Sequence, residues 1–284
     1  MLKLIECPRD AMQGLHDFIP TETKANYINQ LLKVGFDTID FGSFVSPKAI
    51  PQLRDTAEVL EQLNLDETNS KLLAIVANKR GADDASNFDE IDYLGFPFSI
   101  SETFQQRNTN SSIEESLGRV EEIQNICLKH NKKMVVYISM AFGNPYGDPW
   151  NVEVAADWSR KLNKDLGIEI LALSDTIGVS NPDNITTLFK GLIAELPAVE
   201  FGAHLHSTPH TVEEKVIAAY EAGCQRFDGA IKGFGGCPMA ADDLTGNMPT
   251  EQMKAYFDKK NINTNLSDHE FETAMQMALQ VFPN

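Results

Sequence analysis

A short unit recurs along this chain: a helical stretch is closed by a glycine and followed at once by an apolar, strand-like run. Leu-Lys-Val-Gly35 precedes Phe36, Lys-Asp-Leu-Gly167 precedes Ile168, and Glu-Ala-Gly223 precedes Cys224. A glycine just past the last helical turn reads as a left-handed helix stop. Eight strand-like runs follow one another at Leu2–Cys7, Thr38–Phe44, Lys71–Ala77, Ile91–Ile100, Lys133–Ala141, Ile168–Leu173, Val199–His206 and Arg226–Ile231. Most are continuously apolar rather than alternating, as in a parallel sheet covered on both faces. Helix signals lie between them. Ser112-Ile-Glu-Glu115 is a capping box ahead of the stripe Leu117, Val120, Ile123 and Cys127. Asn181-Pro182 reads as N-cap and first helical residue ahead of Ile185, Leu188, Phe189, Leu192 and Leu196. Ala82 to Glu90 is a less regular helical segment.

This alternation predicts an α/β protein of the (β/α)8 TIM-barrel class, and 284 residues suit a fold that usually takes about 250. A doubly wound open sheet would be favoured by Gly-x-Gly-x-x-Gly after the first strand. The chain instead has Pro8-Arg-Asp-Ala-Met-Gln-Gly14 there. With no linker or low-complexity tract, residues 1–284 read as a single barrel domain. Ser267 to Val281 is expected to add a C-terminal helix, packed on the barrel or on a second subunit of a homodimer.

Lys plus Arg count 24 and Asp plus Glu 41, giving a formal charge of −17. That balance argues against nucleic-acid and anionic-membrane partners, which need a basic face. It leaves room for a small anionic ligand held by local cations. The four cysteines, Cys7, Cys127, Cys224 and Cys237, are far apart and form no Cys-x-x-Cys, so a reducing compartment is expected. MLKLIECPRD has no long apolar core of a signal peptide, and no apolar run is long enough to span a bilayer. The expected setting is cytoplasmic.

His204-Leu205-His206 near the end of the seventh run puts two imidazoles on one face of a strand. Such a pair is more often packed and hydrogen-bonded than metal-binding. Its company changes the reading. Pro8-Arg9-Asp10 ends the first run, and Gly233-Phe-Gly-Gly-Cys-Pro238 follows the last, with Thr245-Gly246-Asn247 shortly after. Polar groups at the ends of several strands suggest a site at one end of a barrel. Asp10, His204, His206 and Asn247 make a mixed nitrogen and oxygen set suited to Mg²⁺, Mn²⁺ or Zn²⁺. Taken singly, Asp10 also reads as a helix cap and Asn247 as a turn residue. The glycines from Gly229 to Gly236 fit neither a P-loop nor a dinucleotide fingerprint and read as a mobile lid over Lys232 to Gly246. Lys48 and Lys79-Arg80 are candidate contacts for phosphates.

Pro8-Arg9-Asp10, Ser43-Phe-Val-Ser-Pro-Lys48 with Pro51-Gln52, Ser101-Glu102, Asn110-Ser-Ser-Ile-Glu-Glu-Ser116, Asp175-Thr-Ile-Gly178, His204-x-His206, Gly235-Gly-Cys-Pro238 and Gly246-Asn247 occur in one order. In that order, from about residue 2 to residue 280, the chain resembles the hydroxymethylglutaryl-CoA lyases, metal-dependent barrels related to isopropylmalate and homocitrate synthases. The resemblance implies a divalent cation on Asp10, His204, His206 and Asn247. It implies cleavage of 3-hydroxy-3-methylglutaryl-CoA, an acyl-CoA ester, to acetyl-CoA and acetoacetate. Arg9 would neutralise the enolate oxygen, Asp10 or His204 would take the hydroxyl proton, and Cys237 would protonate the acetyl-CoA carbanion. Gln13, Asp40, Ser43, Lys48 and Asp175 are expected to contact substrate.

The chain departs from that pattern at several places. Ala11 replaces a glycine, Asp40 a glutamate and Ser207 an aspartate. Pro209-His210 replaces Tyr-Gly, and Asn144 stands where a cysteine is common. The segment from Met239 to Thr245 is acidic and one residue longer than usual. These changes leave two other readings open: a related lyase or aldolase acting on another 3-hydroxyacyl-CoA or hydroxy acid, and a barrel that only binds a metal or metabolite.

Overall fold

Eight parallel strands close into a barrel in strict chain order: β1 Lys3–Glu6, β2 Thr38–Ser43, β3 Lys71–Ile75, β4 Ile91–Ser99, β5 Lys133–Ser139, β6 Ile170–Ser174, β7 Glu200–His204 and β8 Arg226–Gly229. The ring shuts where β1 pairs with β8, Ile5 lying opposite Asp228 and Glu6 opposite Gly229. The computed structural model describes residues 1–236 and 245–282. Every strand-like run of the sequence becomes a barrel strand, its bounds shifted by no more than two residues.

Helices fall between the strands as the caps dictate. The Ser112 hydroxyl accepts the Glu115 N–H while the Glu115 carboxylate accepts the Ser112 N–H, opening the helix Ile113–Lys129. Asn181 opens Pro182–Glu195 through a reciprocal pair with Asn184. The segment expected at Ala82 to Glu90 is instead a helix over Lys79–Ser86, because the Asn78 side chain caps the Gly81 N–H three residues earlier. Gly35, Gly167 and Gly223 have φ of 93°, 67° and 103°, the left-handed stops that the sequence required.

Leu73, Ile75, Val135, Tyr137, Ile170 and Ala172 fill the barrel interior. A much larger apolar layer lies between strands and helices. The C-terminal helix Asp268–Val281 belongs to that layer. It packs on Thr21–Val34, with Phe271 edge-on to Phe36 at 6.3 Å, Phe282 edge-on to Tyr27 at 5.8 Å, and the Ser267 N–H donating to the Val34 carbonyl. The expected packing of this helix on the barrel is thus observed.

The structure corrects one expectation about the seventh run. β7 stops at His204, and His206–Ser207 forms a separate two-residue strand antiparallel to Gly246–Asn247. Asn247 lies directly opposite His206 in that small ladder. A short hairpin-like pairing thus draws the segment after residue 244 back over the barrel mouth. No described helix is long and apolar enough to cross a membrane.

Candidate active site

The C-terminal ends of the strands converge on a cavity of about 370 Å³. Arg9, Asp10, Gln13, His204 and His206 stand on its wall, together with an apolar side that includes Val45, Ile75 and Phe104. Arg9 and Asp10 come from the helix Pro8–Gln13, which begins directly after β1 with proline in its first turn, where a missing N–H costs nothing.

One ligand atom each from Asp10, His204 and His206 lies within 4.8 Å of the other two. The two imidazoles are 5.7 Å apart between ring centroids. His206 Nδ1 sits 3.0 Å from the Thr176 carbonyl, which can only accept. Nδ1 therefore carries the proton and Nε2 presents a lone pair. That Nε2 is buried with no hydrogen-bond partner, an uncommon and costly state unless something else binds it. His204 Nδ1 lies 3.1 Å from the Asp228 carboxylate, which fixes its ring in the same manner. A carboxylate or carbonyl behind each imidazole is the usual outer support of a metal-binding histidine. Burial and the neighbouring His204 hold the His206 pKa below its ordinary range, so this ring stays neutral. Burial works against a charge on His204 as well, but Asp228 and Asp10 outweigh it and raise that pKa.

Asp10 accepts from Arg9 Nη1 at 3.0 Å and Gln13 Nε2 at 2.6 Å on one oxygen, and from Asn247 Nδ2 at 2.8 Å on the other. Burial disfavours its charge, yet Arg9 and the two histidines bring its pKa below the ordinary carboxylate range. Asn247 Nδ2 also donates to the Phe234 carbonyl at 2.9 Å, so two bonds fix its amide beside Asp10. Three histidine and carboxylate donors with an amide beside them suit a divalent cation with positions left for substrate.

Arg9 is anchored by Asp40 on β2, its Nε lying 3.1 and 3.0 Å from the two carboxylate oxygens and Nη2 2.5 Å from one of them. Nη1 spends both hydrogens on Asp10 and Gln13. One Nη2 hydrogen is left, on a side chain that lines the cavity. Burial opposes the Arg9 charge, but Asp40 and Asp10 push its pKa above the ordinary range. Complete burial pushes the Asp40 carboxyl up to about 6 against the pull of Arg9, so the pair remains ionic at neutral pH.

Other residues singled out by sequence are not on the wall. Asp175 is buried, and its carboxylate accepts from the Val179 and Ser180 N–H groups, the Ser180 hydroxyl and Lys215 Nζ. These bonds brace the loop after β6, and Asp175 lies outside the cavity lining. Ser43 is buried, accepting the Val45 N–H, and lies outside the cavity lining. Lys48 is exposed on the loop that carries Val45, and Lys79 pairs with Asp83 on the surface. Asn144 staples its own loop through Tyr146 and Asp148, a turn function that does not call for a cysteine. Cys237 and most of the acidic segment fall in 237–244, outside the described residues. The glycines before it are tightly seated rather than open. Gly235 has φ of 83°, and a Cβ there would come within 2.8 Å of the Asp10 carbonyl and 2.9 Å of Asn247 Nδ2. Sequence reasoning missed Asp228 and Thr176. An acid two residues after the arginine that opens β8 was a readable signal for the first; the backbone carbonyl of the second left none.

Fold and site define a barrel protein that can hold a divalent cation beside an arginine at the C-terminal mouth. The HMGL-like family model matches residues 3–278, and the chain belongs to that family. It is 36% identical to a hydroxymethylglutaryl-CoA lyase of Bacillus subtilis over 91% of this chain and 85% of that one. It is 31% identical to the cytoplasmic 3-hydroxy-3-methylglutaryl-CoA lyase of Rattus norvegicus over 95% and 78%. The structure superposes on an HMG-CoA lyase of Acinetobacter baumannii in complex with coenzyme A and 3-methylmalate, with a TM-score of 0.89, 28% identity, and coverage of 99% and 91%.

Proposed function

We propose that the chain, as one catalytic domain in the cytoplasm, cleaves 3-hydroxy-3-methylglutaryl-CoA to acetyl-CoA and acetoacetate. The observation that carries this reading is the convergence of an unpartnered His206 Nε2, His204 and an ionised Asp10 beside an Arg9 whose one spare N–H belongs to a cavity wall. Asp10, His204, His206 and Asn247 would hold Mg²⁺ or Mn²⁺. When bound, such an ion supplies Lewis-acid polarisation of substrate oxygens.

The chain's own residues do the rest. Of the two candidate bases, Asp10 accepts the proton of the substrate's C3 hydroxyl, because His204 Nδ1 is held by Asp228 and its other ring nitrogen would hold the cation. The C3 oxygen then closes to a ketone as the C2–C3 bond breaks, and the electron pair passes into the thioester carbonyl. Arg9 donates to the enolate oxygen that this creates, already aligned by Asp40 and Gln13 and therefore without reorganisation at the moment of reaction. The apolar side of the cavity keeps water from the carbanion. A proton must then reach C2, and Cys237 is the donor implied by the sequence. Asp40 is one methylene shorter than the glutamate of the resembled pattern, but its three contacts to Arg9 keep the arginine in place.

Acetoacetate release from hydroxymethylglutaryl-CoA, with Mg²⁺ or Mn²⁺ and again after chelation, tests the proposal. Turnover that chelation abolishes and added cation restores is expected. Absence of release under every metal condition would overturn the substrate assignment.

A further inference from the structure

Below the site, the barrel interior holds a cation that the proposed chemistry does not use. Arg226 opens β8 and is fully buried. Residues two apart on a strand share a face, so Arg226 and Asp228 both point into the barrel. A Cβ built on Gly202 of β7 would come within 3.1 Å of the Arg226 stem and 3.5 Å of Ala172, an interior residue. Only Nη1 of the guanidinium has a partner, Glu200 Oε1 at 3.1 Å. Nε and Nη2 have none. Neither do Oδ1 of Asp228 and the hydroxyl of Tyr137, whose ring stands edge-on to His204 at 5.2 Å. Seven buried side-chain polar atoms among the described residues lack a partner, and four belong to these three side chains.

Their chemistry is complementary. The guanidinium only donates, the carboxylate only accepts, and the phenol does either. Left bare, each such group carries its full desolvation penalty. Buried water with about three hydrogen bonds is the ordinary way to satisfy them.

We propose that Arg226 is a positioning residue for His204, acting through ordered water that it shares with Tyr137 and Asp228. The water fixes Asp228 through Oδ1, and Oδ2 of Asp228 in turn holds His204 Nδ1 at 3.1 Å, aiming the opposite ring nitrogen at the cation. The inference rests on the reading of His204 as a metal ligand. It also makes a prediction of sign. Arg226 is a positive charge below a cation site, so charge alone would make its removal tighten Mn²⁺ binding. Positioning makes its removal weaken binding.

The test is Mn²⁺ affinity of the folded protein, read by electron paramagnetic resonance of the free ion, with thermal stability recorded alongside. Arg226→Met is expected to bind Mn²⁺ about tenfold more weakly, as loss of outer support to a ligand does. Arg226→Lys, which keeps a donor that reaches water, should recover most of the loss. Asp228→Asn should weaken binding to a similar degree, and combining it with Arg226→Met should add little, since both cut one chain of contacts. Unchanged or tighter binding in Arg226→Met overturns the proposal, whatever happens to stability. Should that variant not fold, a high-resolution crystal structure of the parent decides. Water within hydrogen-bond distance of Arg226 and Asp228 Oδ1 supports the proposal, and an interior in which the two side chains bond directly overturns it. A parent that binds no Mn²⁺ at all overturns the metal reading, and this inference with it.

Discussion

The two ends of the barrel carry charge in opposite ways. At the C-terminal mouth, Arg9, Asp10 and Asp40 are buried to 7% exposure or less, and each bonds to another member of the group. At the other end, where the strands begin, Lys71 pairs with Asp92, and Lys133 with Glu169 at 3.0 Å, with both Lys133 and Glu169 more than half exposed. Lys3 and Arg226 share the two oxygens of Glu200. Buried charges hold fixed positions because each removed partner leaves another stranded. Exposed ones are screened and contribute little. The difference separates a mouth built to present charge to a ligand from a base whose exposed pairs, buried Arg226 apart, serve solubility and closure.

The strongest way to break this contrast is Arg9→Met. If the mouth presents charge for the reaction, kcat should fall about 10²- to 10³-fold, the usual loss for a preorganised donor, while Mn²⁺ still binds. Near-normal turnover would move Arg9 into the same category as the ion pairs at the base.

Glu6 sharpens the contrast from within the mouth. It sits at the end of β1, accepting the Ile231 N–H at 2.7 Å and the Thr250 hydroxyl at 2.6 Å, and burial pushes its carboxyl up to about 8. The unfolded chain releases this proton near 4.5, so the folded state binds the proton more tightly between those values. Stability should therefore fall as pH rises from about 4.5 to about 8, by something of the order of a few kcal/mol. Glu6→Gln can keep both hydrogen bonds and has no proton to lose. Its melting temperature should be flatter than the parent's between pH 6 and 9, and parallel curves would remove Glu6 as the cause.

The smallest effect belongs to the base. Lys133→Ala should change stability by less than about 1 kcal/mol and leave turnover alone. A larger loss in a denaturant titration would show that the base depends on its ion pairs as the mouth does.

Much of the architecture was legible because it is written locally. Gly35, Gly167 and Gly223 need no tertiary context to stop a helix, and Ser112 and Asn181 announce the next one through bonds to their own neighbours. His204, His206, Asp10 and Asn247 were read as a group for a different reason: their residue types at strand ends limit the chemistry available, and the structure brings ligand atoms of the first three within 4.8 Å of one another. The helix at Lys79 was misplaced by a few residues because Asn78 resembles any loop asparagine until its side chain is seen on Gly81.

What the sequence determined by itself is the succession of strands and helices, and the set of polar groups that a barrel must bring to its mouth. The periodicity of apolar residues and the cap chemistry act over a few residues, within the reach of one turn. The structure alone decided which of those groups stand free and which are consumed. Asp175 looked as available as Asp10, yet Lys215 and Ser180 converge on one of its oxygens and the Val179 N–H holds the other. His206 reaches the site from a separate ladder with Asn247, and Asp228 and the Thr176 carbonyl set the two rings. Those pairings join residues 24 to 41 positions apart in the chain, and only closure of the barrel brings them within hydrogen-bonding distance.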